Sequence, residues 1–396
     1  MGKHINKLYY ITHIDNVPSM LQKGILCHRR MEEEGVQTTP IYDKAIVSDR
    51  HSKQVEGGKN LWDYANLYFQ ARNPMLYRVV REKSVNDIVV LEIRQDIRNT
   101  PGAFVSDGNA ASVQTRFRAS CRVGESFYDK LREDIFREWW SDLDGSKRRI
   151  MSECLVPERV PPDYIQTIFT ANLEVSDKLS RMAPSCGVPI VPNADMFFQP
   201  TKKVMLRDNL WLVQGDMFFS QMQTLTVSVN CVGVMGKGLA SRAKYQFPDV
   251  YVHYQDLCKQ KKLRMGRPVI HRRGVSQDFE LADDPSTMSN GKTETWFLLF
   301  PTKDHWRKAA DFEGIKKGLQ WLVGNYKKEG IQSLAVPALG CGLGWLDWSK
   351  VGPVLCTSLA QLDIETWVYL PVEQKLSDDL LDPRFLIRRD SLWDQP

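Results

Sequence analysis

Three kinds of residue in this sequence can do chemistry: glycines that leave backbone N–H groups bare, a lysine at a strand end, and a carboxylate inside an apolar run. Residues 334–339 are apolar and lead straight into glycines at 340, 342 and 344; Val227-Ser-Val-Asn-Cys-Val-Gly-Val-Met-Gly-Lys-Gly238 repeats the arrangement upstream. Backbone N–H groups of such loops form anion cradles that side chains would obstruct. Two glycine loops after two strands predict a ligand with two phosphates, held from both sides. Lys303 follows the apolar run 296–300, a Pro and a Thr, so it can point from a strand end into the cleft. Asp216, just past the run 210–214, can accept a hydrogen bond from an adenine amino group, and Asn230 can bond a ribose hydroxyl. Taken singly, both are common turn residues.

The first half offers other candidates. Glu153 lies in Met151-Ser-Glu-Cys-Leu-Val-Pro157, and a charge in an apolar strand needs a reason. His13 ends a short strand just before a helix, where a histidine is commonly structural. Arg50 and His51 sit in a polar loop. Tyr68 belongs to the aromatic-rich stretch 67–77, which by itself is core, and Ser106-Asp-Gly-Asn-Ala-Ala-Ser112 is a turn. In 115–149, Arg116, Arg118, Arg122, Arg132, Arg137, Lys147, Arg148 and Arg149 interleave with Phe117, Phe127, Tyr128, Phe136, Trp139 and Trp140. Basic residues meet phosphates and aromatic rings stack on bases. Residues 127–140 also fit an ordinary amphipathic helix, so Arg116, Arg118 and Arg122 are the stronger DNA-binding candidates.

The elements that must position these residues change character along the chain. Upstream, strand-like runs at 8–12, 88–93 and 165–171 mix with helical patterns at 16–23, 61–68 and 127–140, which predicts an α+β domain. Downstream, strands at 210–214, 226–230, 295–300, 333–337 and 366–370 alternate with helices at 239–246, 311–328 and 348–362, the pattern of a three-layer α/β/α domain. The proline-rich stretch 184–203 is the best boundary. The expected domains are 1–183 and 203–372, with a junction at 184–202 and a tail at 373–396. At 396 residues, two domains is also the natural prior. No apolar run approaches the ~20 residues that span a bilayer, and the N-terminus has no signal-like apolar region. The eight cysteines show neither CxxC pairs nor zinc spacing, which predicts reduced thiols, no metal and a cytoplasmic setting. A net charge of +5 permits nucleic-acid binding without demanding it.

In the second half, the order Gly-Asp216, Asn230-Cys-Val-Gly-Val-Met-Gly-Lys-Gly238, Phe300-Pro-Thr-Lys-Asp-His-Trp-Arg307 and Pro337-Ala-Leu-Gly-Cys-Gly-Leu-Gly344 resembles the macrodomain family, most closely its DarG branch. The resemblance covers roughly 203–372 and implies an ADP-ribose cleft. Gly233, Val234, Met235, Gly236, Lys237 and Gly238 would form one lip, and Gly340, Cys341, Gly342, Leu343 and Gly344 the other. Asp216 would hold adenine and Asn230 the distal ribose. Lys303 would carry removal of ADP-ribose from a DNA base, since a buried lysine loses its proton readily and can attack a glycosidic carbon or relay a proton. Lys237 would be positional.

In the first half, Ile-Thr-His13-Ile with Asn16, the Arg50 loop, Tyr68-Phe…Asn-Pro-Met-Leu-Tyr77, Asp-Gly-Asn-Ala-Ala-Ser112 and Glu153-Cys-Leu-Val-Pro157 together resemble DarT, an ADP-ribosyltransferase acting on single-stranded DNA. The match spans about 5–175 and implies NAD+ as co-substrate. His13, Asn16, Arg50 and Tyr68 would bind NAD+, Arg50 would also help polarise the target base, and Glu153 would be the catalytic carboxylate. Thymidine is the favoured base and guanosine the alternative, because Arg50 with Glu153 suits deprotonation of a ring N–H. DarT and DarG usually occur as separate chains, a bacterial toxin and its antitoxin of the phage-defence type. Both matches lie here in one chain, which points to a fused toxin–antitoxin, written and erased by one polypeptide. The macrodomain would neutralise the toxin by hydrolysing the DNA adduct or by an intramolecular contact that masks the transferase. Two other readings fit the sequence: transfer and removal on protein or RNA, or a macrodomain that only senses ADP-ribose.

Overall fold

A computed structural model of the chain describes residues 5–41, 50–51, 53–55, 57–288, 291–371 and 374–387. The chain divides into two compact units: Met1–Gln199 with Asp278–Gly291, and Pro200–Gln277 with Lys292–Pro396.

The first unit is α+β. Its eight-stranded sheet runs in the order Ile190–Pro192, Ile165–Thr170, Ile88–Arg94, Lys7–His13, Tyr64–Tyr68, Glu153–Pro157, Phe104–Ser106, Phe117–Ala119. All pairings are antiparallel except the first, Ile190–Pro192 beside Ile165–Thr170. The apolar run of Ile88–Arg94 is buried on both faces, as its central place requires. Asn73 and Asn172 start the helices Pro74–Glu82 and Leu173–Met182, their side chains accepting from Leu76 N and Val175 N at 3.0 Å. Leu67, Leu91, Cys154, Val156, Leu131 and Leu179 share the core.

One helical expectation fails here and another is cut short. Residues 61–68 form one 3-10 turn, Leu61–Asp63, and then the strand Tyr64–Tyr68. Asn60 and Asp63 close a capping box around that turn, and the run beyond it finds strand partners on both sides. A short apolar run does not distinguish helix from buried strand, and the tertiary pairing decides. The helix expected over 127–140 is Glu125–Ile135 and stops there. The proline-rich stretch contributes the edge strand Ile190–Pro192, where a missing N–H is tolerated.

The second unit is a three-layer α/β/α domain. Its seven-stranded sheet runs Lys202–Arg207, Leu210–Gln214, Glu365–Tyr369, Ser333–Pro337, Thr224–Asn230, Trp296–Lys303, Val269–His271. The inner five strands are parallel and the two edge strands antiparallel. Strand alternation sorts the core. Leu298, Phe300, Leu334, Val336 and Val368 face the helices Phe312–Glu329 and Trp348–Leu359, while Phe297, Leu299, Leu225, Val227 and Ala335 face Gly238–Gln246 and Pro248–Lys259. The described part of the tail packs on this unit. Leu380 O and Leu386 O accept from Trp348 Nε1 (3.0 Å) and Thr357 Oγ1 (3.1 Å), and Leu386 is fully buried.

The segment Asp278–Gly291 leaves the second half of the sequence and belongs to the first unit. Tyr77 Oη donates to Asp278 Oδ1 (2.5 Å), Trp140 Nε1 donates to Leu281 O (2.8 Å), and Arg78 Nε donates to Asp283 Oδ1 (2.7 Å). Nothing in the sequence signals this insertion.

Candidate active sites

The first site is a cleft in the first unit, lined by Thr12, Asn16, His28, Arg50, Tyr68 and Asp283 among others. Strand register sets it up: Tyr68 stands opposite Tyr9 on one side and Glu153 on the other. Glu153 is fully buried. One carboxylate oxygen accepts from Ala110 N (2.9 Å) and the other from Arg50 Nη2 (2.8 Å). The Asp-Gly-Asn-Ala turn delivers the Ala110 N–H. A Cβ at Gly108 would lie 2.2 Å from Arg148 Nη1, so a side chain there would push the Arg148 guanidinium away from Asp107 Oδ1 and Thr115 Oγ1, both 3.0 Å from it. Ser106 Oγ accepts from Glu153 N (2.8 Å) and donates to Gly108 O (2.6 Å), tying strand to turn.

Arg50 thus stands in the cleft wall and Glu153 directly behind it. Burial works against the Arg50 charge, but Glu153 and then Tyr68 outweigh it and leave its pKa raised. Burial, reinforced by Glu153, raises the Tyr68 hydroxyl and keeps it protonated. His28 stacks on Trp62 at 4.2 Å between centroids; burial, and then the Arg50 charge, push its imidazole down to about 4. His28, Arg78 and Asp283 are cleft residues that sequence reasoning missed. No motif carries them, since each acquires its place through tertiary packing.

The other expected residues fall into three groups. Asn16 is at the cleft, but its amide is engaged: Nδ2 donates to Thr12 Oγ1 (3.1 Å) and Thr39 O (2.9 Å), and Oδ1 accepts from Thr39 N (2.8 Å). It therefore fixes the wall segment Thr38–Ile41 that lines the cleft. His13 is not among the lining residues; its Nδ1 accepts from Asp15 N (3.2 Å) and caps the next turn. Arg116, Arg118 and Arg122 are exposed and carry no ion pair among the described residues, whereas Arg132, Arg137, Lys147, Arg148 and Arg149 are all paired to acids. The structure separates free cations from committed ones, which spacing alone does not do.

The second site lies at the carboxyl ends of the parallel strands in the second unit, the usual ligand side of such sheets. Strand register places Lys303 opposite Asn230. Two glycine loops follow the strands Thr224–Asn230 and Ser333–Pro337, and they meet: a Cβ on Gly238 would stand 3.4 Å from Leu343 Cδ1. Gly233, Gly238 and Gly340 have φ of +81°, +59° and +78°. A Cβ at Gly344 would lie 2.3 Å from Gly340 O, so the second loop is closed on itself by glycine. Lys303 Nζ donates to Leu343 O (2.6 Å), bridging to this loop, and burial lowers its pKa. Val234, Gly236, Lys237 and Leu343 are exposed at the loops, while Met235 and Cys341 are buried beneath them.

Two expected contacts are already engaged within the protein. Asn230 Nδ2 donates to Val234 O (2.6 Å), and its Oδ1 accepts from Val232 N (3.0 Å) and Tyr254 Oη (2.8 Å), so this side chain shapes the first loop. Asp216 accepts from Phe218 N (3.1 Å) and from Arg242 Nη1 (2.6 Å). Tyr254 and Arg242, on the helices behind, are supporting residues that the motifs did not reveal. Among the described residues, no group of three or more His, Cys, Asp and Glu is placed to hold a metal ion. Among the described residues, no helix is long and apolar enough to cross a membrane.

Known proteins resemble both units. The family model described as "ssDNA thymidine ADP-ribosyltransferase, DarT" matches residues 9–198. A DNA ADP-ribosyl transferase–DNA ADP-ribosyl glycohydrolase fusion protein of Thermosipho africanus is 49% identical over 388 residues, which is 98% of this chain and 100% of that protein. The solved structure of Thermosipho africanus DarTG in complex with ADP-ribose superposes with a TM-score of 0.91 at 48% identity, covering 96% of this chain and 99% of that one. A DNA ADP-ribosyl glycohydrolase of Thermus aquaticus is 36% identical over 165 residues, 41% of this chain and 42% of the relative.

Proposed function

Because the chain belongs to the family of DNA ADP-ribosyl transferase–DNA ADP-ribosyl glycohydrolase fusions, we propose that its first unit transfers ADP-ribose from NAD+ to thymidine in single-stranded DNA and that its second unit removes it through Lys303. The observation that carries the transferase reading is the buried Glu153, held by the Ala110 N–H and by Arg50 in the cleft wall. Breaking the nicotinamide–ribose bond releases neutral nicotinamide and leaves an oxocarbenium-like carbon. The Glu153 carboxylate stabilises that charge. Thymine N3 carries a proton that must leave before its electron pair can form the new N–C bond. Glu153, which stands behind Arg50 and does not line the cleft, takes that proton through a relay. Arg50 orients the carboxylate from one side and offers its remaining N–H groups to the NAD+ phosphates. An unpaired strand presents the base edge without the cost of extrusion from a duplex. Arg116, Arg118 and Arg122 supply free cations for the strand's phosphates.

In the second unit the paired glycine loops cradle the pyrophosphate of ADP-ribose. Lys303, whose pKa burial lowers, attacks the glycosidic carbon as a free amine; the new C–N bond forms as the base leaves with the electron pair of the broken bond, and water then releases ADP-ribose and restores the lysine. Asp216 lies on the adenine side, its orientation fixed by Arg242.

Mass spectrometry of thymidine-containing and guanosine-containing oligonucleotides, after incubation of the Lys303→Ala chain with NAD+, tests this reading. An ADP-ribose adduct on thymidine supports it. Adducts on guanosine alone, or on protein alone, overturn the substrate assignment. Expression of Lys303→Ala is expected to be toxic and Glu153→Gln/Lys303→Ala harmless; a harmless Lys303→Ala chain with an active transferase would show that erasure is not the safeguard.

A further inference from the structure

The loop that follows the second glycine motif ends in a residue that packing does not explain. Trp345 is 75% exposed, and its backbone is left-handed, with φ +61°. A bulky aromatic adopts that conformation only at a conformational cost. Its side chain recovers little of this by burial, because most of the ring faces solvent. The loop nevertheless enforces the geometry. Trp345 N donates to Gly342 O (3.0 Å), Leu346 N to Gly340 O (3.0 Å) and Ala310 N to Gly344 O (3.1 Å). The ring is presented beside the amine assigned to chemistry: Lys303 Nζ lies 5.5 Å from its centroid.

A second exposed tryptophan stands three residues beyond Lys303. Trp306 is 47% exposed. The His305 ring stacks on it at 5.6 Å, and the Arg307 guanidinium lies over its face at 4.7 Å. Lys308 is also exposed and pairs with Asp304, the one acid in this stretch (3.1 Å). Trp345 thus stands beside Lys303, and the chain just beyond Lys303 carries the half-exposed Trp306 and Arg307, which has no ion pair among the described residues. Aromatic faces beside cations are what an unpaired polynucleotide requires, with rings for bases and cations for phosphates.

We infer that Trp345 is a base-stacking residue of the second unit: it receives the ADP-ribosylated base of single-stranded DNA and aligns its glycosidic bond with Lys303, while Trp306 and Arg307 take the adjoining nucleotide. The inference rests on the reading of this unit as an eraser of DNA ADP-ribosylation. It adds the half of the substrate that the glycine loops do not touch. ADP-ribose alone fills the loops; the DNA strand engages the tryptophans.

The full-length chain carrying Glu153→Gln, so that no new adduct is written, is assayed with an ADP-ribosylated oligonucleotide and with free ADP-ribose. Trp345→Gly is the informative variant, because glycine relieves the positive φ and leaves the fold unstrained. It is expected to raise KM for the adduct about tenfold or more, with the Kd for free ADP-ribose unchanged within about twofold; Trp345→Phe should restore much of the loss. An unchanged KM overturns the inference, as does a parallel loss of ADP-ribose binding, which would make Trp345 a loop-shaping residue only. Should the parent chain bind ADP-ribose but leave the adduct intact, the eraser reading itself fails, an outcome distinct from both.

Discussion

The insert Asp278–Gly291 should make the transferase cleft depend on residues encoded in the other half of the sequence. The sharpest perturbation is Asp283→Ala. Arg78 is 1% exposed and held between Glu82 Oε2 at 2.9 Å and Asp283 Oδ1 at 2.7 Å. Burial opposes its charge, and Asp283, then Glu82, more than restore it. Removing one partner from a buried pair costs roughly 3–5 kcal/mol. Glu82 remains, so about 2–3 kcal/mol is the fitting expectation. For a unit of about 200 residues this lowers Tm by about 4–12 °C. Asp283 and Arg78 both line the cleft, so KM for NAD+ should rise as well. Thermal unfolding by circular dichroism and initial-rate kinetics on an oligonucleotide measure the two effects, with Asp283→Asn intermediate. Asp256→Ala, which removes only an exposed partner of Lys259, is the control and should shift stability by less than about 1 kcal/mol. A melting point within a degree of the parent, with KM unaltered, would refute the reasoning.

Glu153→Gln keeps an acceptor for Ala110 N–H but loses the charge, and transferase turnover should fall by about 10²–10⁴ while the second unit still hydrolyses a supplied adduct; retention of a tenth of the activity would remove Glu153 from the chemistry. Gly344→Ala puts a methyl group against Gly340 O, so ADP-ribose affinity measured by calorimetry should drop at least tenfold, about 1.4 kcal/mol. His28 has a folded pKa of about 4, below its ordinary 6.5, so the unfolded chain takes up the proton first as pH falls. Its contribution to stability is complete above 6.5 and lost towards 4; His28→Gln should therefore flatten the fall in denaturation midpoint between pH 7 and pH 5, and an unchanged slope would exclude His28 as the cause.

Local pattern made much of both units legible. The strand runs at 88–93 and 333–337, the helix at 239–246 and the glycine loops all follow from short-range rules of periodicity, capping and permitted φ. Glu153 stood out for the same reason, as a charge where the strand pattern calls for an apolar residue. Where a local signal was ambiguous, as at 61–68, the pairing of Tyr64–Tyr68 with two neighbouring strands chose between helix and sheet.

The amino-acid sequence by itself determined the two-domain plan, the two glycine loops, and which lysine and which carboxylate sit at strand ends, because each is written within a dozen residues. Tertiary structure decided the partnerships. Arg50 meets Glu153 across 103 positions, and Arg78 meets Asp283 across 205. Arg242 claims one oxygen of Asp216, and Asn230 turns inward to build its own loop. Contacts of this kind arise from how strands and helices pack, and a linear pattern does not encode which distant charge will neutralise a buried one.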